Sequence, residues 1–256
     1  MFLLELNNIE FSYNNSFEMK DISLQVYPSE FISILGPNGS GKSTLLKILS
    51  GLLTPSKGIR LLDGKNYSSY DHRSLARLIG YVPQSSFSVF PFSIYEIVMM
   101  GRTAYMNFFG IEKDNDIKIV NETLERLNIL HIRNKGINEV SGGEAQQAFI
   151  ARALVQQPKL LLLDEPNAHL DIKHQISIFN ILSELNKELG LTIITVSHDI
   201  NLVSNFTERI ILLKDGKIFL DGNKSKVLLK KNLKSVFDIN TQIIKNDNKI
   251  NVFITS

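Results

Sequence analysis

The sequence has no cysteine among its 256 residues, which excludes disulfide bonds and metal sites built from thiolates. It also lacks an excess of charge of one sign, because 28 Lys and Arg residues face 26 Asp and Glu residues, for a net charge of +2. Proteins that bind nucleic acid usually carry a concentrated basic face. We therefore expect no nucleic-acid partner.

Long hydrophobic runs and repeats are missing as well. No stretch of 18 apolar residues occurs, and residues 1–5 lack the basic start and long apolar run of a signal peptide. No low-complexity segment or repeat of fixed period is present. We expect a soluble protein that is not exported by the signal-peptide route. At this length one large domain buries about 70 to 75% of the unfolded surface, and a second full domain is not expected.

Short apolar runs bounded by turn residues recur along the chain and predict strands. They span residues 3–11, 22–26, 31–35, 59–62, 79–82, 160–163, 191–196 and 209–213. Residues 160–163 and 193–196 are apolar at nearly every position, as parallel strands covered on both faces are. The pattern predicts a buried, mostly parallel sheet with flanking helices.

Two further patterns predict a helix and a hairpin. Apolar residues recur at helical spacing at Ile117, Val120, Leu124, Leu127 and Leu130, within a segment with few strand signals, roughly residues 85–157. The last part of the chain alternates at residues 241–245 and 250–254 around the turn residues 246–248, which predicts a β-hairpin.

A complete phosphate loop of the form G-x-x-x-x-G-K-[ST] follows the apolar run at residues 31–35 and precedes a helix-forming run. Its residues are Gly36, Pro37, Asn38, Gly39, Ser40, Gly41, Lys42, Ser43 and Thr44. Glycines let the backbone curl around a polyphosphate, and the following helix presents its positive end to the same anion. Lys42 is then expected to reach the β- and γ-phosphates and Ser43 to ligate Mg²⁺. The alternative is a simple Gly-rich turn, which this placement disfavours.

Two carboxylates, Asp164 and Glu165, follow the buried run at residues 160–163, at a strand tip where open α/β sheets bind ligands. One such carboxylate, together with Ser43, can hold Mg²⁺, and the next can orient or deprotonate an attacking water. We assign Asp164 to the metal and Glu165 to the water. Adjacent acids at a strand end are otherwise commonly a solvated turn.

A second glycine-bearing helix start lies at Ser141, Gly142, Gly143 and Glu144. Ser141 is a natural N-cap, and helix capping is the ordinary interpretation. Such a helix start is also an anion site, however, and one chain has no obvious need for two triphosphate cradles.

With these motifs the chain resembles the nucleotide-binding subunit of an ATP-binding cassette (ABC) transporter over almost its whole length. In that family the S-G-G-[QE] signature of one subunit closes on the γ-phosphate held by its twin, so that two ATP molecules are sandwiched head to tail. The resemblance implies an α/β P-loop NTPase fold with a mostly parallel sheet, N-terminal antiparallel strands and an inserted helical subdomain. It also implies ATP and Mg²⁺ as cofactors and ATP hydrolysis coupled to transport.

Four further site residues are implied by the resemblance. Tyr13 matches the aromatic residue that stacks on adenine, and Gln84 matches the glutamine that senses Mg²⁺ and water. Asp171 matches the carboxylate of the inter-subunit loop, and His198 matches the histidine that contacts the γ-phosphate. Taken alone, Tyr13 is more typical of a half-buried strand, Gln84 of a turn and His198 of the surface. The order of the motifs along the chain favours the functional interpretation.

The resemblance also divides the chain, as one ATPase domain, into a nucleotide-binding core (1–84 and 158–221), a helical subdomain with the signature (85–157) and an extension (222–256). Two departures from the family pattern occur. Asn167 stands where threonine or serine is usual, and residues 145–147 lack the arginines of many members. Neither departure changes a group assigned to chemistry, since Asn167 can still donate and accept hydrogen bonds.

The segment after Gln84 is unusually aromatic. It holds 7 of the chain's 22 aromatic residues and three methionines: Phe87, Phe90, Phe92, Tyr95, Tyr105, Phe108, Phe109, Met99, Met100 and Met106. Such residues dominate protein–protein anchor points, and in the resembled family this region receives a helix of the membrane subunit. The alternative is that they form the core of the helical subdomain, and we expect a mixed role.

Residues 91–102 and 169–175 resemble the subgroup that serves importers of metal chelates: iron-siderophore, haem, cobalamin, molybdate or tungstate. The implied partners are a second copy of the chain, a multi-span permease contacting residues 85–110 and, indirectly, a substrate-binding protein, at the cytoplasmic face of the membrane. His169 and His174 are better explained by surface or inter-subunit contacts than by a metal site.

Two other functions are weighed against import. A soluble ABC ATPase that acts on nucleic acid or ribosomes usually has two cassettes or a long coiled-coil insert, and no sustained heptads lie between Gly41 and Ser141. A regulatory module that binds nucleotide without turnover is disfavoured by Glu165 and His198.

Overall fold

The computed structural model describes residues 1–13, 17–84, 90–106, 111–246 and 249–255. The strands are β1 (Leu4–Tyr13), β2 (Phe17–Val26), β3 (Phe31–Leu35), β4 (Lys57–Leu62), β5 (Lys65–Asn66), β6 (Ile79–Val82), β7 (Leu160–Asp164), β8 (Thr192–Val196), β9 (Arg209–Lys214), β10 (Lys217–Asn223), β11 (Asn240–Asn246) and β12 (Lys249–Thr255). The helices are α1 (Lys42–Ser50), α2 (His72–Leu78), α3 (Ile94–Met99), α4 (Asp114–Arg126), α5 (Gly142–Leu154), α6 (Ile172–Leu189), α7 (Ile200–Phe206), α8 (Lys224–Val227) and α9 (Lys230–Phe237).

A six-stranded sheet in the order β10-β9-β3-β8-β7-β6 forms the centre of the fold. Its strands β9, β3, β8, β7 and β6 run parallel, and β10 pairs antiparallel with β9. This confirms the predicted mostly parallel sheet. Because the strands are parallel, the segments that follow β3, β6, β7 and β8 all leave the sheet at the same edge.

The two faces of this sheet are covered by different hydrophobic clusters. Leu160 and Leu162 on β7 belong to the cluster that contains α1 and β1, whereas Leu161 and Leu163 belong to the cluster that contains α5 and α6. Successive side chains of a strand point to opposite faces, so both halves of the leucine run are buried. This explains why the sequence of β7 is continuously apolar.

A second sheet covers one side of the core. It is antiparallel, in the order β2-β1-β4-β5, and its inward side chains Leu4, Leu6 and Ile9 share a cluster with Ile32 and Leu46. The sheet therefore encloses α1, which follows the phosphate loop, between two layers of strands. This agrees with the N-terminal antiparallel strands implied by the resemblance.

Between β6 and β7 the regular elements that the structure describes are helices. They are α3, α4, α5 and short 3₁₀ turns, and the described residues of this segment pair in strand fashion only at one isolated bridge, between Ser93 and Gly136. The helix predicted from Ile117 to Leu130 is α4, which begins at Asp114 and ends at Arg126 and buries Val120 and Leu124. The proposed boundaries of this subdomain stay a prediction.

The predicted hairpin near the end of the chain is confirmed. Strands β11 and β12 pair antiparallel from Asn240 with Thr255 to Asn246 with Lys249. Residues 247 and 248 of the predicted turn lie outside the described residues.

Across the described parts of the chain, none of the helices combines the length and the apolar character needed to cross a bilayer.

Candidate functional site

The phosphate loop connects β3 to α1 through two residues with left-handed backbone conformation. Gly39 has φ +77° and Gly41 has φ +102°, a region that glycine adopts without steric cost. A Cβ atom on Gly41 would lie 2.6 Å from Cζ of Phe17, whereas one on Gly39 would meet no atom within 4 Å. The loop is therefore tightly packed at Gly41 and open at Gly39, as a cradle for a ligand requires.

Lys42, the first residue of α1, is held inside this loop. Its Nζ donates hydrogen bonds to the carbonyl oxygens of Gly36 at 2.9 Å and Pro37 at 3.0 Å. The side chain is only 6% exposed, and burial lowers the pKa of its ammonium group. The loop thus holds a buried cation whose present partners are neutral carbonyls, which an anionic phosphate can replace with a stronger interaction.

Ser43 and Asp164 meet at the base of the loop. The hydroxyl of Ser43 donates to Oδ1 of Asp164 at 3.0 Å, although 121 residues separate the two. Asp164 is 3% exposed, and burial raises the pKa of its carboxyl group. The hydrogen bond from Ser43 lowers this pKa, whereas the negative charge of Glu165 raises it further. A hydroxyl and a buried carboxylate side by side are hard oxygen ligands, so the pair fits a Mg²⁺ ion.

Glu165 connects the ends of three neighbouring strands. Its Oε2 accepts a hydrogen bond from Nε2 of Gln84 at 2.7 Å, and its Oε1 lies 2.5 Å from Nε2 of His198. Gln84 follows β6, Glu165 follows β7 and His198 follows β8, so the parallel sheet brings the three side chains together. Glu165 has φ +51°, a conformation uncommon for a residue with a side chain and one that recurs at functional sites.

A cavity of about 670 Å³ lies above these groups. The sequence-predicted residues that line it are Tyr13, Asn38, Gly39, Gly41, Lys42, Ser43, Thr44, Gln84, Glu165 and His198. Gly36, Pro37 and Asp164 lie behind this lining, where they hold Lys42 and Ser43, and Ser40 is buried within the loop. The size is that of a small-molecule site, and the lining includes a cation and an aromatic ring.

Phe17 also lines the cavity and was not among the predicted residues. It pairs with Tyr13 in the register of β1 and β2. The signal that could have found it is the turn-forming sequence of residues 14–16, since a hairpin there would place Phe17 opposite Tyr13.

Ser141, Gly142, Gly143 and Glu144 form a separate surface, since none of them is among the described residues that line the cavity. Ser141 caps α5 in a reciprocal capping box with Glu144, and its hydrogen bonds lower the pKa of the Glu144 carboxyl. Gly143 lies so close to His174 that a Cβ atom would be 2.3 Å from its ring. The absence of a side chain at Gly143 therefore allows the start of α5 to pack closely against α6.

Asp171 is the N-cap of α6 and belongs to this second surface. It accepts from the backbone N–H of His174 at 2.9 Å and contacts the Nδ1 atom of the same residue at 2.8 Å. These contacts, the backbone hydrogen bond first, lower the pKa of the Asp171 carboxyl. The capped helix start at Ser141 and the N-cap Asp171 thus lie apart from the cavity that the phosphate loop lines.

Fold and site together define a P-loop nucleotide-binding protein. Residues 19–168 match the ABC transporter family, and the chain belongs to this family. Its members' ATP-binding cassettes bind and hydrolyse ATP. The resemblance read from the motifs is therefore confirmed, together with the implied fold.

Individual relatives are similar over nearly their whole length. The "Probable iron chelatin transport ATP-binding protein" of Helicobacter pylori (strain ATCC 700392 / 26695) is 36% identical over 252 residues, which covers 98% of this chain and 99% of that protein. A solved structure described as an inward-facing conformation of a metal-chelate type ABC transporter is 28% identical, with a TM-score of 0.86, and covers 100% of this chain and 97% of that one.

A second solved structure is informative about assembly. It is the dimeric, post-hydrolysis state of an ATP-binding cassette bound to ADP and Pi, 32% identical with a TM-score of 0.74. The match covers 86% of this chain and 98% of that chain.

Proposed function

We propose that this chain is the ATP-hydrolysing motor subunit of a membrane ABC importer for a metal chelate and works as a head-to-tail homodimer with two ATP molecules at the interface. The observation that carries the proposal is the position of Glu165, held between Gln84 and His198 beside a phosphate loop with Lys42. A carboxylate fixed next to the place of the γ-phosphate is what hydrolysis requires beyond binding.

Each group has a separate task in this proposal. The loop residues 36–44 and Lys42 hold the phosphates, and Tyr13 stacks on the adenine. Ser43, Gln84 and Asp164 hold Mg²⁺, which offsets the negative charge of the phosphates when it is bound.

Glu165 accepts a proton from the attacking water. The water oxygen forms a bond to the γ-phosphorus, the bond between that phosphorus and the bridging oxygen of the β-phosphate breaks, and ADP and inorganic phosphate result. Gln84 and His198 keep the Glu165 carboxylate oriented toward the water through their contacts at 2.7 and 2.5 Å. His198 also contacts the γ-phosphate.

The second copy supplies the other half of each site. Ser141, Gly142, Gly143 and Glu144 carry the features of an anion site at a helix start but lie away from this chain's own cavity. The dimeric state of the related cassette supports their action on the partner's ATP, with Asp171 at the contact between the copies.

Import of a metal chelate is supported by the names of the related proteins, one of them for iron chelatin transport and one for a metal-chelate type transporter. The permease contact is placed at residues 85–110, where Phe90, Phe92 and Met100 are exposed while Met99 is buried. In this proposal the chain lies at the cytoplasmic face of the membrane, bound through the permease and linked only indirectly to a substrate-binding protein.

The test is Glu165→Gln, which removes the proton acceptor and keeps the size of the side chain. We expect ATP affinity in calorimetry to be unchanged, hydrolysis to slow by about 10²-fold or more, and an ATP-bound dimer to accumulate. Glu125→Gln, at an exposed position of α4, is the control and keeps wild-type turnover. Unchanged turnover in Glu165→Gln would refute the assignment.

A further inference from the structure

The β11–β12 hairpin is fixed to α7, the helix that begins two residues after His198. The side-chain amide of Asn201 donates to the carbonyl oxygen of Val252 at 3.0 Å and accepts from the backbone N–H of the same residue at 2.7 Å. Ser204 donates to the carbonyl oxygen of Ile250 at 2.7 Å. Three hydrogen bonds between one helix and one strand give the hairpin a defined position beside the nucleotide site.

A cavity of about 500 Å³ lies between the hairpin and the site. Glu165, His169 and His198 line one side, and Val252 and Ile254 of β12 line the other. It shares Glu165 and His198 with the nucleotide cavity. The Ile254 side chain is 74% exposed at its edge.

A groove of about 520 Å³ between α6 and α7 continues this surface. Gln175, Asp199 and Asn201 line both the groove and the hairpin cavity. Ile172 and Ile176 lie on the groove, one turn apart on the same face of α6, and are 75% and 44% exposed. A surface with three exposed isoleucines thus runs without interruption from the nucleotide site, and we name Ile172, Ile176 and Ile254 the isoleucine rim.

Exposed apolar side chains that lie together among polar neighbours mark an interaction surface. The occupant is indicated by continuity, because Ile254 lines the same cavity as Glu165 and His198, where the second copy closes on ATP in the proposed function. Apolar residues also suit a two-fold contact in particular. The same surface patch lies on both copies there, so like charges placed in the patch would be brought close together.

We propose that the isoleucine rim packs against the isoleucine rim of a second copy, so that the β11–β12 hairpin extends the ATP-dependent dimer interface beyond the nucleotides. This rests on the proposed function, which supplies the dimer. It gives the segment after residue 222 a role, since the hairpin carries Ile254 into the interface and is hydrogen-bonded to α7, which follows His198 in the chain.

The experiment uses the full chain with Glu165→Gln, which traps ATP, and adds Ile172→Lys with Ile254→Lys. We expect sedimentation equilibrium in saturating Mg·ATP to give a dimer dissociation constant at least about tenfold higher than for Glu165→Gln alone, because four ammonium groups would crowd one apolar contact. The ATP affinity of the single chain, measured by calorimetry at concentrations below dimerisation, is expected to stay the same.

The matched control is Leu189→Lys, an exposed leucine at the other end of α6, about 26 Å from Ile172. It is expected to leave the dimer constant unchanged. If the double lysine variant fails to fold by circular dichroism, Ile172→Ser with Ile254→Ser replaces it, with a smaller change in the same direction.

The outcomes separate this inference from the proposed function. A dimer constant unchanged by both rim variants overturns the inference and leaves the ATPase proposal standing. Normal dimerisation combined with lost binding to a permease also overturns it, because the rim would then be covered by the permease. Absence of any ATP-bound dimer in the parent Glu165→Gln chain overturns both.

Discussion

The ammonium group of Lys42 is held in the phosphate loop by neutral partners that a phosphate can replace. It is buried against two carbonyl oxygens, and burial lowers its pKa. A bound triphosphate would place negatively charged oxygens beside this ammonium in place of two neutral carbonyl dipoles. The negative charge would favour the charged form of Lys42 and strengthen binding.

We therefore expect Lys42→Ala to weaken ATP affinity by about 100-fold or more, because a buried charge-assisted contact to phosphate is lost. Calorimetric titration with Mg·ATP measures this, and Lys65→Ala, on the exposed strand β5, is the control. Wild-type affinity in Lys42→Ala would contradict the role given to the phosphate loop.

Asp164 carries a pH-dependent effect on the stability of the nucleotide-free chain. Burial raises its pKa in the folded state above the unfolded value, so ionisation of Asp164 costs stability at neutral pH and protonation recovers it as the pH falls. Asp164→Asn removes that cost and can still accept the hydrogen bond from Ser43.

We expect Asp164→Asn to have a higher melting temperature than wild type at pH 7 without nucleotide, with a difference that shrinks as the pH is lowered below the folded pKa of Asp164. Thermal unfolding across pH measures this. A difference that grows toward low pH would be the opposite of the predicted sign. With Mg·ATP present, the same variant is expected to lose its advantage because a metal ligand is missing.

For individual residues, the sequence motifs predict which side chains belong to the site but not all of the contacts between them. Ser43 and Asp164 were paired by their motifs, and the 3.0 Å hydrogen bond agrees with the pairing. Phe17 was missed because it belongs to no motif and reaches the cavity only through the register of β1 and β2. The contact of Gln84 with Glu165 depends on the neighbouring positions of β6 and β7, which a local sequence pattern does not contain.

Among the elements, the start of α5 has one closely packed glycine next to a less closely packed one. Gly142 and Gly143 are adjacent, yet a Cβ atom would lie 3.4 Å from Leu170 at the first position and 2.3 Å from His174 at the second. Substituting alanine at each position separates the effect of packing on stability from the effect of helix propensity. The gain in helix propensity is the same at both positions, so a difference in stability between the two variants reports the packing.

Gly143→Ala is expected to lower stability by about 1–3 kcal/mol relative to Gly142→Ala, because the methyl group displaces His174 from the N-terminus of α6. Urea unfolding of the two variants measures the difference. Equal stability would show that His174 moves away without cost and that the contact between α5 and α6 is loose.

The aromatic segment is split between core and surface. Ile94, Ile97 and Met99 are buried in the hydrophobic cluster that contains α5 and α6, whereas Phe92 is 36% exposed. The buried residues fit the predicted core role, and the contact of the exposed ones with a partner stays a proposal. Phe87, Phe108 and Phe109 lie outside the described residues.

Phe92→Asp is expected to reduce co-purification with the permease by about tenfold, since an aromatic anchor is replaced by a charge. ATPase activity of the isolated chain should stay the same. Phe219→Asp, an exposed aromatic residue on β10, is the control in the pull-down. Normal permease binding by Phe92→Asp would place the contact elsewhere.

The elements with continuous or regular patterns were the most predictable. Strand β7 was predicted from its leucine run, and α4 from its helical spacing. Strand β2 begins at Phe17, earlier than the predicted Ile22, because register shifts in its pairing with β1 break the alternation that marks a strand. Helix α9 was not predicted, since its short Lys-rich sequence resembles a solvated segment.

At the scale of the whole molecule, the fold places two of the predicted site regions apart from each other on one chain. The cavity with Lys42 and Glu165 is one, and the capped helix start at Ser141 is the other. The family resemblance predicts that they meet between copies, which no pattern within a single chain encodes. The division into core, helical subdomain and extension likewise stays a prediction.

The most direct test of the account is to mix two inactive variants of the chain. Lys42→Ala disables a copy's own phosphate loop, and Ser141→Arg disables the signature that it offers to its partner, so each variant alone is expected to lack ATPase activity. In an equal mixture about half of the dimers are hybrids, and each hybrid keeps one intact site of two, so we predict recovery of about a quarter of wild-type activity. No recovery, or full activity of Ser141→Arg alone, would contradict sites shared between two copies.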